Sequence, residues 1–395
     1  MSAVDPALLE RVRQRLVGDL VADPGSTVDA DSTATRVAAA LRREGRVLGD
    51  AAMLEVVAAL SSELTGLGVL EPLLADPDVT DVLVHGPREV WVDRGAGLVR
   101  TATRLPDDAE VRRLAQRLAL TAGRRLDDAA PFVDVRLGGG VRMHAVLAPV
   151  STGGTCLSLR VSRRRSFTLD ELIKAGTVSG AGAGLLAALV QRRVSMLLSG
   201  GTGTGKTTVL SALLGRVPSD ERIVVVEDVG ELRPDHPHVV HLEARPANQE
   251  GAGAISLRDL VRQALRMRPD RLVVGEARGA EVVDLLAALN TGHDGGFGTV
   301  HAGSSVDVPA RLEALGLAAG LGRAALHSQL AAGVGAVVHL VRDPDGVRRV
   351  AEVSLPGRDE SGLVRIEVGV ELPRGRPAVP GPAYERLVAV TGGEP

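Results

Sequence analysis

The pattern of apolar and polar positions changes three times along the chain. Near the start, Leu8, Leu9, Val12 and Leu16 recur at helical spacing, and Asp23-Pro24-Gly25-Ser26 interrupts the pattern. Further helices are predicted over about 34–44 and 50–64, so residues 1–66 read as a helical N-terminal extension. From residue 67 the period shortens to two. Val79-Thr80-Asp81-Val82-Leu83-Val84-His85-Gly86 and Glu89-Val90-Trp91-Val92-Asp93-Arg94-Gly95 alternate as strands with turns. A helix is predicted at about 108–122, with strand-like runs at 133–137, 141–146 and 156–161. Residues 67–165 therefore read as an α+β domain, closing on Arg163-Arg164-Arg165. Residues 166–180 read as a linker with a short helix.

From about 181 helices alternate with short, continuous apolar runs: Met196-Leu197-Leu198, Ile223-Val224-Val225-Val226 and Leu272-Val273-Val274. Runs of this kind suit a parallel sheet covered on both faces, so residues 181–372 are expected to be an α/β domain. Residues 373–395 are rich in Pro and Gly and read as a tail without order as far as Tyr384.

Composition narrows the class. The chain has 395 residues, room for two or three domains at about 100–200 residues each. Aromatics are only 1%, so the cores must rest on Leu, Val, Ala and Ile. A net charge of -3 lacks the basic footprint of a nucleic-acid binder, and no direct nucleic-acid contact is expected. The single cysteine, Cys156, reads as a small apolar residue and points to a cytoplasmic protein. The start lacks the basic and apolar parts of a signal peptide, and no apolar run spans a bilayer. Membrane contact is therefore expected only through partners. Only two of the 46 basic residues are lysines, Lys174 and Lys206.

Lys206 lies in the sharpest motif. Gly200-Gly201-Thr202-Gly203-Thr204-Gly205-Lys206-Thr207 fits G-x-x-x-x-G-K-[ST], between an apolar run and a predicted helix. Glycines let the loop turn successive N–H groups towards a phosphate, and the helix N-terminus adds its positive end. Lys206 would reach the β- and γ-phosphates, and Thr207 would offer a hydroxyl to Mg²⁺. Hydrolysis also needs a carboxylate. Glu227-Asp228 and Glu276 each follow an apolar run, where ligands sit in open parallel sheets. His301 ends another such run, and His293 stands in the glycine-rich stretch before it. Arg258, Arg262 and Arg266 fall at i, i+4 and i+8 of one predicted helix, a like-charge stripe that an anion or a neighbouring subunit would relieve.

Together these segments resemble the type II/type IV secretion ATPases, and most closely their TadA/CpaF branch. The resemblance rests on the phosphate loop through Thr208, then Glu227-Asp228-Val229-Gly230-Glu231, then Arg266-Met267-Arg268-Pro269-Asp270 to Gly275-Glu276-Ala277-Arg278-Gly279, and then His293 to His301-Ala302. It extends upstream through Leu70-Glu71-Pro72-Leu73-Leu74 and Pro131-Phe132-Val133-Asp134-Val135-Arg136, covering about residues 67–355. Gly298 and Gly303 depart from the family's usual Ser or Thr and Asn. The tetracysteine zinc insert of the type II export motors is absent, which favours the TadA/CpaF branch. The resemblance implies a RecA-like P-loop NTPase domain after a PAS-like N-terminal domain. It implies ATP and Mg²⁺ as ligands, with Thr207, Glu227, Asp228 and Glu276 at the metal and Glu276, Glu227, Lys206 and His301 in catalysis. It also implies that arginines complete the site, matching Arg136, Arg142 and Arg160 here. Arg142 is the first choice among these, and Arg266 and Arg268 would be phosphate or inter-subunit contacts. It implies a homo-hexamer at the inner face of the cell membrane. That ring would drive pilus assembly or protein secretion through inner-membrane platform proteins, or alternatively DNA transfer.

Overall fold

A computed structural model describes residues 67–95, 97–161, 166–245, 247, 252–290 and 294–393. The helices expected over 1–66, the Arg163–Arg165 run and His293 lie outside the described residues. The chain divides into two compact units between Arg163 and Arg164.

The first unit is a six-stranded antiparallel sheet with one long helix. Its elements are β1 (Asp81–His85), β2 (Glu89–Asp93), β3 (Leu98–Arg100), α1 (Asp108–Thr121), β4 (Phe132–Arg136), β5 (Val141–Val146) and β6 (Cys156–Val161). The spatial order is β3-β2-β1-β6-β5-β4. Alternation makes this sheet one-sided: Val82, Val84, Val90, Val92, Met143, Leu157 and Leu159 point into one core with Val111, Leu114 and Leu118 of α1. Asp107 caps α1 by accepting the Glu110 N–H at 2.8 Å, satisfying one of the donors a helix start leaves over.

The second unit has a nine-stranded mixed sheet. Its elements are α2 (Leu169–Lys174), α3 (Gly180–Gln191), β7 (Met196–Gly200), α4 (Lys206–Leu214), β8 (Ile223–Glu227), β9 (Val239–Glu243), α5 (Leu257–Ala264), β10 (Arg271–Val274), α6 (Glu281–Leu289), β11 (Phe297–Val300), α7 (Val308–Ala318), α8 (Arg323–Gly333), β12 (Ala336–Arg342), β13 (Arg348–Arg358), β14 (Val364–Glu371), β15 (Val379–Pro380) and α9 (Tyr384–Thr391). The order is β15-β14-β13-β12-β7-β11-β10-β8-β9. The strands from β12 to β9 run parallel, and β13, β14 and β15 continue the sheet antiparallel.

The continuous apolar runs fill both faces of this sheet, as expected. Met196, Leu198, Ile223, Val225 and Val273 pack with α3 and α4 on one side. Leu197, Val224, Val226, Leu272 and Val274 pack with α5, α6, α7 and α8 on the other. Each fully buried Val or Leu stabilises this arrangement by about 1.5–3 kcal/mol relative to exposure.

The 166–180 segment carries a short helix, α2, and its Leu169, Leu172 and Val178 are buried in the second core. Thr168 and Glu171 form a capping box that starts α2. The tail is ordered as well. Val379 pairs with Glu371 across β14 and β15, and Ala383 and Leu387 are buried against the same core. Its Pro and Gly residues shape the turn into α9, and a few apolar residues suffice to dock that helix.

Candidate functional site

The phosphate loop joins β7 to α4, as the motif requires. Gly200 could not be another residue, since a Cβ there would lie 2.4 Å from the Leu340 carbonyl oxygen of β12. Gly205 stands at the head of α4 with φ +93°, a left-handed conformation that glycine adopts without strain. Lys206 is buried, and its Nζ donates to the carbonyls of Gly200 at 2.9 Å and Gly201 at 2.8 Å. Burial lowers its pKa; the Glu276 charge opposes that shift and Arg278 adds to it. Thr204 donates to the Gly201 carbonyl at 2.9 Å. Thr207 and Thr208 are half-buried in the first turn of α4, and Thr202 is exposed at the loop tip.

Register brings the expected acids to the same sheet edge. Val300 pairs with Ser199, and Val274 pairs with both Gly298 and Val226, so the residues beyond β8, β10 and β11 emerge beside Gly200. His301 Nε2 lies 2.7 Å from Glu276 Oε1. Arg278 donates to the other oxygen, Oε2. Burial would raise the Glu276 pKa, but the Arg278 hydrogen bond and the nearby charges of Arg278, His301 and Lys206 outweigh it. Glu276 is therefore held below the usual carboxylate range and stays ionised. Burial, with Lys206 beside it, lowers the His301 pKa despite the opposing Glu276 charge. The imidazole is thus neutral at neutral pH and donates from Nε2. Thr299 fixes the strand end by donating to the Gly275 carbonyl at 2.6 Å.

Glu227 reaches this edge but faces elsewhere. Its Oε1 accepts the N–H groups of Glu231 and Leu232, each at 3.0 Å, and so shapes the loop after β8. The side chain lies against Gly275, where a Cβ would come within 2.5 Å of the Glu227 Cγ. Burial raises its pKa to about 7, with the two N–H bonds only partly offsetting that. Glu227 thus holds the loop after β8 through two amides, while its raised pKa is of the kind a general base carries. Asp228, next along, is exposed.

The arginines separate into three groups. Arg136, Arg142 and Arg160 occupy one row across β4, β5 and β6, since Arg142 pairs in register with both of the others. Arg142 forms a two-pronged pair with Asp134, and Arg160 donates to Asp81 at 3.1 Å. Arg258 and Arg262 both donate to Asp284 of α6, at 2.7 and 2.8 Å, so a carboxylate of the neighbouring helix relieves their like-charge spacing. Arg266 and Arg268 are exposed, and Arg268 holds the left-handed conformation at φ 54°. They precede β10, whereas Glu276 follows it. A strand of roughly 13 Å separates them from the phosphate loop's edge, which does not fit an expected contact with this chain's own phosphates.

Arg278 stood in the sequence only as part of a run with no role of its own, and Asp284 acts across a sequence separation that no local spacing signals.

A family model described as type II/IV secretion system protein matches residues 63–365. The chain is 58% identical over 328 residues to a putative conjugal transfer protein of Mycobacterium tuberculosis, covering 82% of this chain and 93% of that one. It is 33% identical over 262 residues to the type IV secretion system protein PtlH of Bordetella pertussis, covering 60% of this chain and 77% of that one. Among solved structures it is similar to the pilus retraction motor PilT with bound ADP, at a TM-score of 0.53 and 20% identity over 73% of this chain and 82% of that one. The ATPase DotB of Legionella pneumophila is similar at a TM-score of 0.52 and 19% identity, over 73% of this chain and 79% of that one. These two likenesses speak for the fold.

Proposed function

The chain belongs to the type II/IV secretion system protein family and is a P-loop ATPase, and from that premise we propose that it is a ring motor. In this reading six copies couple ATP hydrolysis to pilus assembly or protein secretion through inner-membrane platform proteins. The observation that carries the reading is the ionised Glu276, gripped by His301 and Arg278 at the sheet edge that also presents Lys206.

The residues fit a nucleotide. The loop starts at Gly200, where a side chain would collide with the Leu340 carbonyl, and Lys206 rests on loop carbonyls from which it can turn to phosphate oxygens. Thr207 and Asp228 are the groups that would hold Mg²⁺, which when bound offsets phosphate charge. Glu276 orients the attacking water and accepts its proton, and neutral His301 keeps the carboxylate aimed by donating to it. Arg142, with Arg136 and Arg160 beside it, would supply charge to the γ-phosphate within the assembled ring. The protein would work at the cytoplasmic face of the membrane, reaching it through partners. Among the described residues no helix is long and apolar enough to cross a membrane.

A second reading, a motor serving conjugal DNA transfer, is favoured by the name of the Mycobacterium tuberculosis relative. The net charge of -3 then assigns DNA handling to partners.

The test is ATPase activity against protein concentration, with mass photometry in parallel. Specific activity should rise as hexamers form, and Lys206→Ala and Lys206→Arg should both lack turnover, since a planar guanidinium does not replace a compact ammonium here. Activity independent of concentration would refute the ring. Counting surface pili and DNA transfer in a host carrying Glu276→Gln separates the two cargo readings.

A further inference from the structure

Arg348 opens β13, the strand that returns from β12, and β12 is the parallel neighbour of the phosphate-loop strand, with Leu340 opposite Gly200. Its Nε donates to the Gly203 carbonyl oxygen at 2.8 Å. Its side-chain stem covers Gly205, where a Cβ would lie 3.6 Å from the Arg348 Cδ. The hairpin thus touches the middle of the loop, some 145 residues away in sequence. None of the family motifs read above includes this residue.

Gly203 O belongs to the peptide that carries the Thr204 N–H. In a trans peptide the C=O and the N–H point to opposite sides. A guanidinium holding the Gly203 oxygen on the outside therefore fixes the Thr204 N–H towards the inside of the loop. Loops of this kind bind phosphate through such inward N–H groups, and the backbone freedom of Gly203 would otherwise let the peptide rotate. A hydrogen bond from a charged donor is the stronger kind.

We propose that Arg348 is a positioning residue for nucleotide binding. By holding the 203–204 peptide it presets the Thr204 N–H for the β-phosphate of a nucleoside diphosphate or triphosphate. The proposal rests on the nucleotide reading of the loop given above.

The test measures ADP, AMP and adenosine binding to the full chain by calorimetry. Arg348→Ala should bind ADP about tenfold more weakly, while AMP and adenosine, which lack a β-phosphate, should bind as they do to wild type. Arg348→Lys, which keeps a donor of positive charge, should recover most of the ADP affinity. In turnover assays Arg348→Ala should raise KM with kcat little changed, because the peptide contact serves ground state and transition state alike. An unchanged unfolding midpoint without nucleotide shows that the variant is folded. ADP affinity within twofold of wild type for Arg348→Ala overturns the proposal, as does an equal loss for adenosine, which would place the residue at the base or ribose. Lys206→Ala is the control: if wild type and Lys206→Ala bind ADP equally, the nucleotide reading itself fails. Loss in Lys206→Ala with none in Arg348→Ala removes the proposal alone.

Discussion

Arg271 is fully buried at the first position of β10, at the sheet edge away from the phosphate loop. Its guanidinium pairs with Glu221 and donates to the Val190 carbonyl at 3.0 Å and the Gly295 carbonyl at 3.3 Å. One side chain thus ties the end of α3, the approach to β8 and the approach to β11. Arg271→Met keeps the bulk and removes the charge, leaving two carbonyls without their donor and Glu221, only 15% exposed, with Arg193 at 3.2 Å as its remaining partner. Breaking a buried pair from one side costs about 3–5 kcal/mol where the remaining charge is uncompensated; with Arg193 still beside Glu221, about 2–3 kcal/mol is expected. For a unit of this size that lowers the unfolding temperature by roughly 4–12 °C. Urea titration followed by far-UV circular dichroism measures it. Glu221→Gln keeps an acceptor but leaves the fully buried Arg271 charge without its carboxylate, and should cost at least as much. Gly295→Ala should also destabilise, since its Cβ would meet the Arg271 Nη1 at 1.9 Å on a backbone with φ +77°. A loss below about 1 kcal/mol for Arg271→Met would refute the argument.

Glu276→Gln should retain nucleotide affinity while kcat falls by about 10²-fold or more, read by single-turnover hydrolysis beside equilibrium binding. If affinity collapses instead, Glu276 anchors metal rather than water. Glu227 gives a pH signature. Its folded pKa of about 7 exceeds the unfolded 4.5, so the fold binds the extra proton. The stability this contributes is fully present below the unfolded value and is lost as pH rises through the folded one. Glu227→Gln should therefore match wild type near pH 4 and be more stable at pH 8, by on the order of 3 kcal/mol at most. A variant less stable than wild type at pH 8 would mean that the ionised carboxylate is the favoured form.

Much of the site was legible because its constraints are local. Gly205 followed by Lys206 announces a loop-to-helix turn, and the runs ending at Val226, Val274 and Val300 put their next residues on one edge once the sheet is parallel. What a side chain does at that edge was less legible. Glu227 and Glu276 look alike in sequence, yet Gly275 lets one fold inward onto loop amides while Arg278 and His301 hold the other outward. Arg258 and Arg262 read as an unrelieved stripe because Asp284 belongs to another helix. Arg271 was one arginine among many, and only burial distinguishes it. The stretch before Tyr384 looked featureless on its Pro and Gly content, yet Val379 pairs with Glu371 and Ala383 faces an existing core.

The scarcity of lysine and cysteine has a practical consequence. Lys206 is buried and engaged by two carbonyls, which leaves Lys174, exposed at the end of α2, as the lysine side chain open to acylating reagents. Cys156, half-buried at the start of β6 with its Sγ 3.2 Å from Ser151 Oγ, is the chain's lone thiol. One exposed lysine therefore marks the second unit and one thiol marks the first. A donor dye on one and an acceptor on the other would report a distance between them in the unmodified sequence.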